Sequence, residues 1–186
     1  SLAGLHVIRS KRISDHRGCF YRIFSAPELE EVLGDRKIVQ ANVSVTNEIG
    51  TVRGLHYQVP PHAEAKIVRC ISGAVWDVAV DLRKDSPTYL QWHAEELRPQ
   101  HANALYIPEG FAHGFQVLER DSTLVYMHTA AYAPHSESGL PHDDPTLAIQ
   151  WPLAVRNLSE RDAGFTPLEV NGGMPPRVTV DTSGTQ

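Results

Sequence analysis

Arg53, His56 and Lys66 lie close together in TVRGLHYQVPPHAEAKIVRC, residues 51–70, on two apolar segments joined by a loop carrying Pro60 and Pro61. Side chains two or three apart on alternating segments project toward a common interior. Burying three basic groups there is costly unless something anionic or reactive lies among them. An imidazole is the natural general base near neutral pH, and an ammonium can hold negative charge on an oxygen. Together His56 and Lys66 suit proton abstraction beside a carbonyl, with the cation holding the enolate. Inversion of configuration needs an acid on the opposite face. Tyr126, in the alternating STLVYMHTAAY, is a candidate, although alone it reads as a half-buried aromatic with its hydroxyl at a rim. Arg17 and Arg53 each precede a glycine. Such a pair turns tightly while the guanidinium grips a phosphate or carboxylate with two parallel bonds. Two such pairs favour a diphosphate clamp over a rim salt bridge.

The chain has ten histidines. His62, His101, His135 and His142 sit beside Pro, Gln or Asp and read as solvated surface. His113 lies in PEGFAHGF, similar to the second conserved motif of cupins, in which that histidine can bind metal. The first cupin motif needs His-x-His, and the match here is His56-x-Gln58. A site of two or three histidines with a carboxylate would have to draw on His56, His62, Glu64 and His113. Because that spacing departs from the motif, no metal is expected.

These side chains need strands to carry them. The alternating runs HVIRSKRI, CFYRIFS, VQANVSVTN, TVRGLHYQ, KIVRCISG, AVWDVAVDLR, LQWHAEEL, NALYIP, GFQVLER and STLVYMHTAAY are broken by turn residues. In AVWDVAVDL, Val75, Asp77, Ala79 and Asp81 face one way and Trp76, Val78 and Val80 the other. Many short strands of this kind predict an all-β sandwich or barrel, and no helix-length segments separate them as a parallel sheet would require. One helix is expected over SAPELEEVLGD, capped by Ser25 and Glu28 and stopped at Gly34. From Ala133 on, the sequence predicts loops and a turn or two of helix covering the barrel. A single domain over residues 1–170 is expected, followed by a weakly structured tail over 171–186 in which VTV could pair as an edge strand.

Bulk properties narrow the classes. The 186 residues suit one domain. The net charge of −5 argues against a nucleic-acid binder relying on bulk positive charge. Cys19 and Cys70 fall in apolar runs and read as buried core thiols rather than a disulfide or metal knuckle. No window approaches a membrane span and no signal peptide is visible, so a cytoplasmic protein without membrane partners is expected. The opening Ser suggests a trimmed or replaced start.

Taken together, RGLHYQ, AEAKIVRCISGAVWDVAVDLRKDSPTY, YIPEGFAHGF, VYMHTAAYAP, DDPTLAIQWP and LSERD resemble, in order from about Leu5 to Leu168, the nucleotide-sugar 3,5-epimerases of the dTDP-4-dehydrorhamnose type. The resemblance implies a cupin jelly-roll barrel with one or a few short helices, a homodimer with an exchanged N-terminal strand, and no cofactor. The substrate it implies is a nucleoside-diphosphate 4-keto-6-deoxy sugar, epimerised at C3, C5 or both. It further implies that His56 is the base, Asp162 orients it, Lys66 stabilises the enolate and Tyr126 is the proton donor. Arg17 and Arg53 match diphosphate contacts, Gln40 and Asn42 a strand beside the substrate, and Tyr132 an aromatic that packs on the base. Phe20 and His113 complete the expected binding residues.

Three positions depart from that pattern. Arg22 stands where a glutamate is usual near the nucleotide, Glu64 replaces a glutamine before Ala-Lys, and His142 replaces a tryptophan. The acid and base positions are untouched, but the nucleotide base is left open. Two alternatives remain: a metal-dependent cupin enzyme using His113, and a cupin that binds a sugar nucleotide without turnover.

Overall fold

A computed structural model describes residues 2–169. Twelve strands account for most of it: β1 (His6–Arg9), β2 (Ile13–Asp15), β3 (Gly18–Phe20), β4 (Gln40–Thr46), β5 (Val52–Gln58), β6 (Lys66–Ser72), β7 (Val75–Asp81), β8 (Trp92–Leu97), β9 (Asn103–Ile107), β10 (Phe111–Val117), β11 (Ser122–His128) and β12 (Glu137–Gly139). The α-helices, α1 (Glu30–Leu33) and α2 (Glu160–Ala163), are one turn each.

Two antiparallel five-stranded sheets face one another, in the orders β1-β9-β6-β11-β4 and β12-β5-β10-β7-β8. From β5 to β11 the chain passes repeatedly between them. His56 on β5 and Lys66 on β6 therefore stand on opposite walls although only ten residues apart, and so do His113 on β10 and Tyr126 on β11. This is the expected all-β jelly-roll sandwich.

The predicted alternation of β7 holds. Val75 and Ala79 join the core between the sheets with Val68, Leu105, Phe111, Phe115 and Leu124, while Val78 and Val80 pack outward under Leu140, Leu147 and Ile149. The outer face of the first sheet is covered in part by Leu29 of the Pro27–Leu29 turn and by Val32 and Leu33 of α1.

Several expectations are corrected. HVIRSKRI breaks into β1 and β2, and of CFYRIFS only Cys19 and Phe20 fall in a strand, β3. The capping box does not form. Pro27 opens a 3-10 turn over Pro27–Leu29, no side chain caps either segment, and the Glu28 carboxylate is taken by Arg22. Gly34 does end the helix, at φ +57°. Cys19 is exposed on a short hairpin whose strand residues are all exposed, whereas Cys70 is buried as expected. The VTV segment lies outside the described residues.

Candidate active site

At one end of the sandwich the sheets part around a cavity of about 250 Å³. It is lined by Gln40, Asn42, Arg53, His56, Lys66, His113, Tyr126 and Tyr132, eight of the residues singled out from the sequence. The first sheet contributes Gln40, Asn42, Lys66 and Tyr126, and the second contributes Arg53, His56 and His113.

A strict strand would send Arg53 and His56, three apart, to opposite faces. A β-bulge solves this. His113 pairs with His56 and Phe115 with Arg53, so two residues of β5 oppose one of β10. The bulge residue Gly54 adopts φ +110°, and a Cβ there would lie 2.6 Å from the His113 carbonyl oxygen and 2.8 Å from the Gly114 Cα. Only glycine fits both the conformation and the space. Gly54→Ala is expected to lower unfolding stability by about 3 kcal/mol or more, measured by urea denaturation; a midpoint equal to the unmodified protein would contradict this reading of the bulge.

The same bulge anchors the dyad. Asp162 is buried, and its Oδ1 lies 2.8 Å from His56 Nε2 while Oδ2 accepts the Gly54 N–H at 2.9 Å. Its backbone N–H is held by Ser159 Oγ, the N-cap of α2. Burial works against the Asp162 charge, but the hydrogen bonds from His56 and Gly54 outweigh it and hold the carboxyl below its usual range. A carboxylate only accepts, so His56 carries its proton on Nε2 and presents a bare Nδ1. The ring is about one-third exposed, edge-on to Phe165.

On the facing wall, Lys66 is buried and its ammonium lies 2.9 Å from Glu64 Oε1. Tyr126 touches the core on one side and the cavity on the other. Burial first, and then the negative charge of Asp77, push its phenol well above the ordinary range, so the hydroxyl keeps its proton. His113 stands edge-on to Tyr126 with ring centroids 6.0 Å apart, and its Nε2 lies 2.8 Å from the buried Asp77. Arg53, expected to be buried, is exposed at the mouth. Its Nε donates to Thr46 Oγ1, and among the described residues no carboxylate pairs with it. Its guanidinium is available to an anion. Tyr132 is exposed at the rim, its hydroxyl donating to Glu137 and its N–H to Gln40.

Arg17 and Phe20 are not brought to the cavity. They belong to the hairpin β2–β3, whose strand residues are all exposed, and Arg17 pairs with its own neighbour Asp15. His62 and His142 are half-buried rather than solvated. His62 is held by Ser136 Oγ, while His101 and His135 are exposed as expected. Among the described residues no three His, Cys, Asp or Glu side chains gather as a metal site would need. Sequence reasoning missed His128 and Glu137, which line the cavity, and Arg161, which pairs with Glu137 beside it. The inward register of His128, two after Tyr126, was a signal that could have found it.

The chain also resembles proteins of known kind. Residues 1–169 match the family model of dTDP-4-dehydrorhamnose 3,5-epimerase. A relative of that name from Sinorhizobium fredii is 43% identical over 164 residues, 88% of this chain and 84% of the relative. A Streptomyces niveus relative named dTDP-4-dehydrorhamnose 3-epimerase is 39% identical over 162 residues, 87% of this chain and 78% of the relative. The crystal structure of the Legionella pneumophila 3,5-epimerase in complex with dTDP-4-keto-L-rhamnose superposes with a TM-score of 0.83 at 42% identity, covering 88% of this chain and 87% of that one. With an imidazole–carboxylate dyad on one wall and a lysine and a phenol on the other, over its whole described length, the chain belongs to the dTDP-4-dehydrorhamnose 3,5-epimerase family.

Proposed function

We infer that the protein is an isomerase that inverts C3, C5 or both in a nucleoside-diphosphate 4-keto-6-deoxy sugar. The observation that carries this reading is the placement of His56 and Tyr126 on facing sheets around one cavity, with Lys66 between them in the chain. The 4-ketone acidifies the hydrogens on C3 and C5, since either carbanion delocalises onto the C4 oxygen. His56 Nδ1 removes one of these protons, and Asp162 supports the imidazolium that results. Lys66 meets the charge growing on the C4 oxygen. Tyr126, kept protonated by its surroundings, returns a proton to the other face. Arg53 takes the diphosphate at the mouth, His113, Gln40 and Asn42 contact the sugar, and Tyr132 packs on the base.

The exposed hairpin supports a second part of the reading. Ile13 and Phe20 are 62% and 67% exposed on a two-stranded piece that joins neither five-stranded sheet. The edge strand β4 leaves Val43 and Val45 uncovered beside the cavity. A homodimer exchanging the N-terminal segment would cover both and bring Arg17 and Phe20 of one copy to the cavity of the other. Among the described residues no helix is long and apolar enough to cross a membrane; with the composition, this supports a place in the cytoplasm.

The test is proton NMR in deuterium oxide with a panel of 4-keto nucleotide sugars differing in the base. Loss of signal at C3 or C5 with epimer formation is expected for at least one member. Binding without exchange across the panel would favour a non-catalytic sugar-nucleotide binder instead.

A further inference from the structure

Among the described residues, Glu64 is the one carboxylate buried against the catalytic lysine, and the proposed mechanism leaves it without a task. Its side chain is 10% exposed, beside Lys66 at 7% and His128 at 11%. Its Oε1 lies 2.9 Å from Lys66 Nζ, and its Oε2 lies 2.7 Å from His128 Nδ1. Lys66 and His128 are themselves direct partners across β6 and β11. On its far side His128 Nε2 lies 3.3 Å from Asn42 Nδ2 of β4. The imidazole also stacks nearly parallel on Tyr126, at 14° and 6.0 Å. His56, His113 and Arg53 line the same cavity.

Hydrogen-bond chemistry gives this chain a direction. Burial opposes a charge on Glu64, but the hydrogen bond from His128 and the charge of Lys66 outweigh it and lower the carboxyl to about 2. An ionised carboxylate can only accept, so His128 must carry a proton on Nδ1. The same carboxylate takes one N–H of Lys66. With Nδ1–H committed to Glu64, a neutral ring offers a lone pair at Nε2, which matches the Asn42 amide nitrogen as donor. The Asn42 oxygen is then left without a partner among the described residues, at the cavity surface.

We propose that Glu64 is a positioning residue that gathers Lys66 and, through His128, Asn42 into one fixed unit on the cavity wall. The proposal rests on the epimerase reading and adds what aims its oxyanion donor. Both Glu64 oxygens are needed, one for each donor. A glutamine of the same shape has one accepting oxygen and an NH₂ that clashes with the Nδ1–H of His128. In Glu64→Gln, then, either Lys66 loses its anchor or His128 changes tautomer and Asn42 turns over.

The test joins kinetics to a spectroscopic signature. In protein labelled with ¹⁵N-histidine, with His128 assigned by its loss in His128→Gln, the unmodified chain should show His128 protonated at Nδ1. Glu64→Gln should move that proton to Nε2 or broaden both signals, and should lower kcat on the order of 10- to 100-fold, the cost of misplacing a catalytic group by a fraction of an ångström to an ångström. Glu64→Ala should lose at least as much. A purely space-filling role would leave the isosteric glutamine active, so a Glu64→Gln kcat within twofold of the unmodified value overturns the proposal. So does an Nε2–H His128 in the unmodified protein, a result that stands even if neither variant folds. If the unmodified protein exchanges no 4-keto sugar, the epimerase reading fails, and the tautomer alone then decides whether Glu64 orders the wall.

Discussion

His56→Ala is expected to abolish deuterium uptake from solvent at both C3 and C5 of the 4-keto sugar, with kcat falling by roughly 1000-fold or more. His56 and His113 on this wall each have Nε2 held by a carboxylate, but the His56 ring is about one-third exposed to the cavity while His113 is buried. His113 is not expected to substitute, because it is buried and sits edge-on to Tyr126, near the acid. The substitution also frees Asp162 of one partner while the Gly54 N–H remains. The variant should therefore stay folded, and circular dichroism would separate a lost base from a lost fold. Ordinary exchange in a folded His56→Ala protein would remove His56 from its role.

Tyr126→Phe should split exchange from inversion. The enolate still forms, since His56, Asp162 and Lys66 are untouched, so deuterium should enter from the His56 face. Delivery of a proton to the other face should fall by about 100-fold, leaving substrate that is labelled but not inverted at one or both carbons. The ring itself packs against the core, and phenylalanine keeps that packing. Unchanged epimerisation would eliminate Tyr126 as the donor.

Much of this frame could be read from alternation. The runs that form β4 to β11 alternate as strands do, and the two faces of β7 separate residue by residue, although which one points inward shows only in the fold. Where the reading failed, local signals were outweighed by tertiary ones. Glu28 had the right spacing for a cap but a nearer charge in Arg22. Cys19 sits in an apolar run, yet every strand residue of its hairpin is exposed. β12 was invisible because ESG has no apolar pattern of its own and exists by pairing with β5. The site was legible to the extent that its side chains share strand faces. Arg53 and His56 share a face only because Gly54 makes a bulge, which the sequence shows as nothing more than a glycine. Asp162 is 106 positions from His56, and only the family resemblance suggested the pair. The Glu64–His128 contact lay beyond both approaches, since neither residue matters until β6 and β11 are side by side.

The most direct measurement is a crystal structure with a 4-keto nucleotide sugar held in the Tyr126→Phe variant. The expected result is a sugar ring between the two sheets, with C3 or C5 within roughly 3.5 Å of His56 Nδ1 on one face and the residue 126 ring against the other. The C4 oxygen should point at Lys66. A ring lying with both side chains on the same face, or seated away from His56 altogether, would contradict the two-walled proton transfer on which the reaction depends.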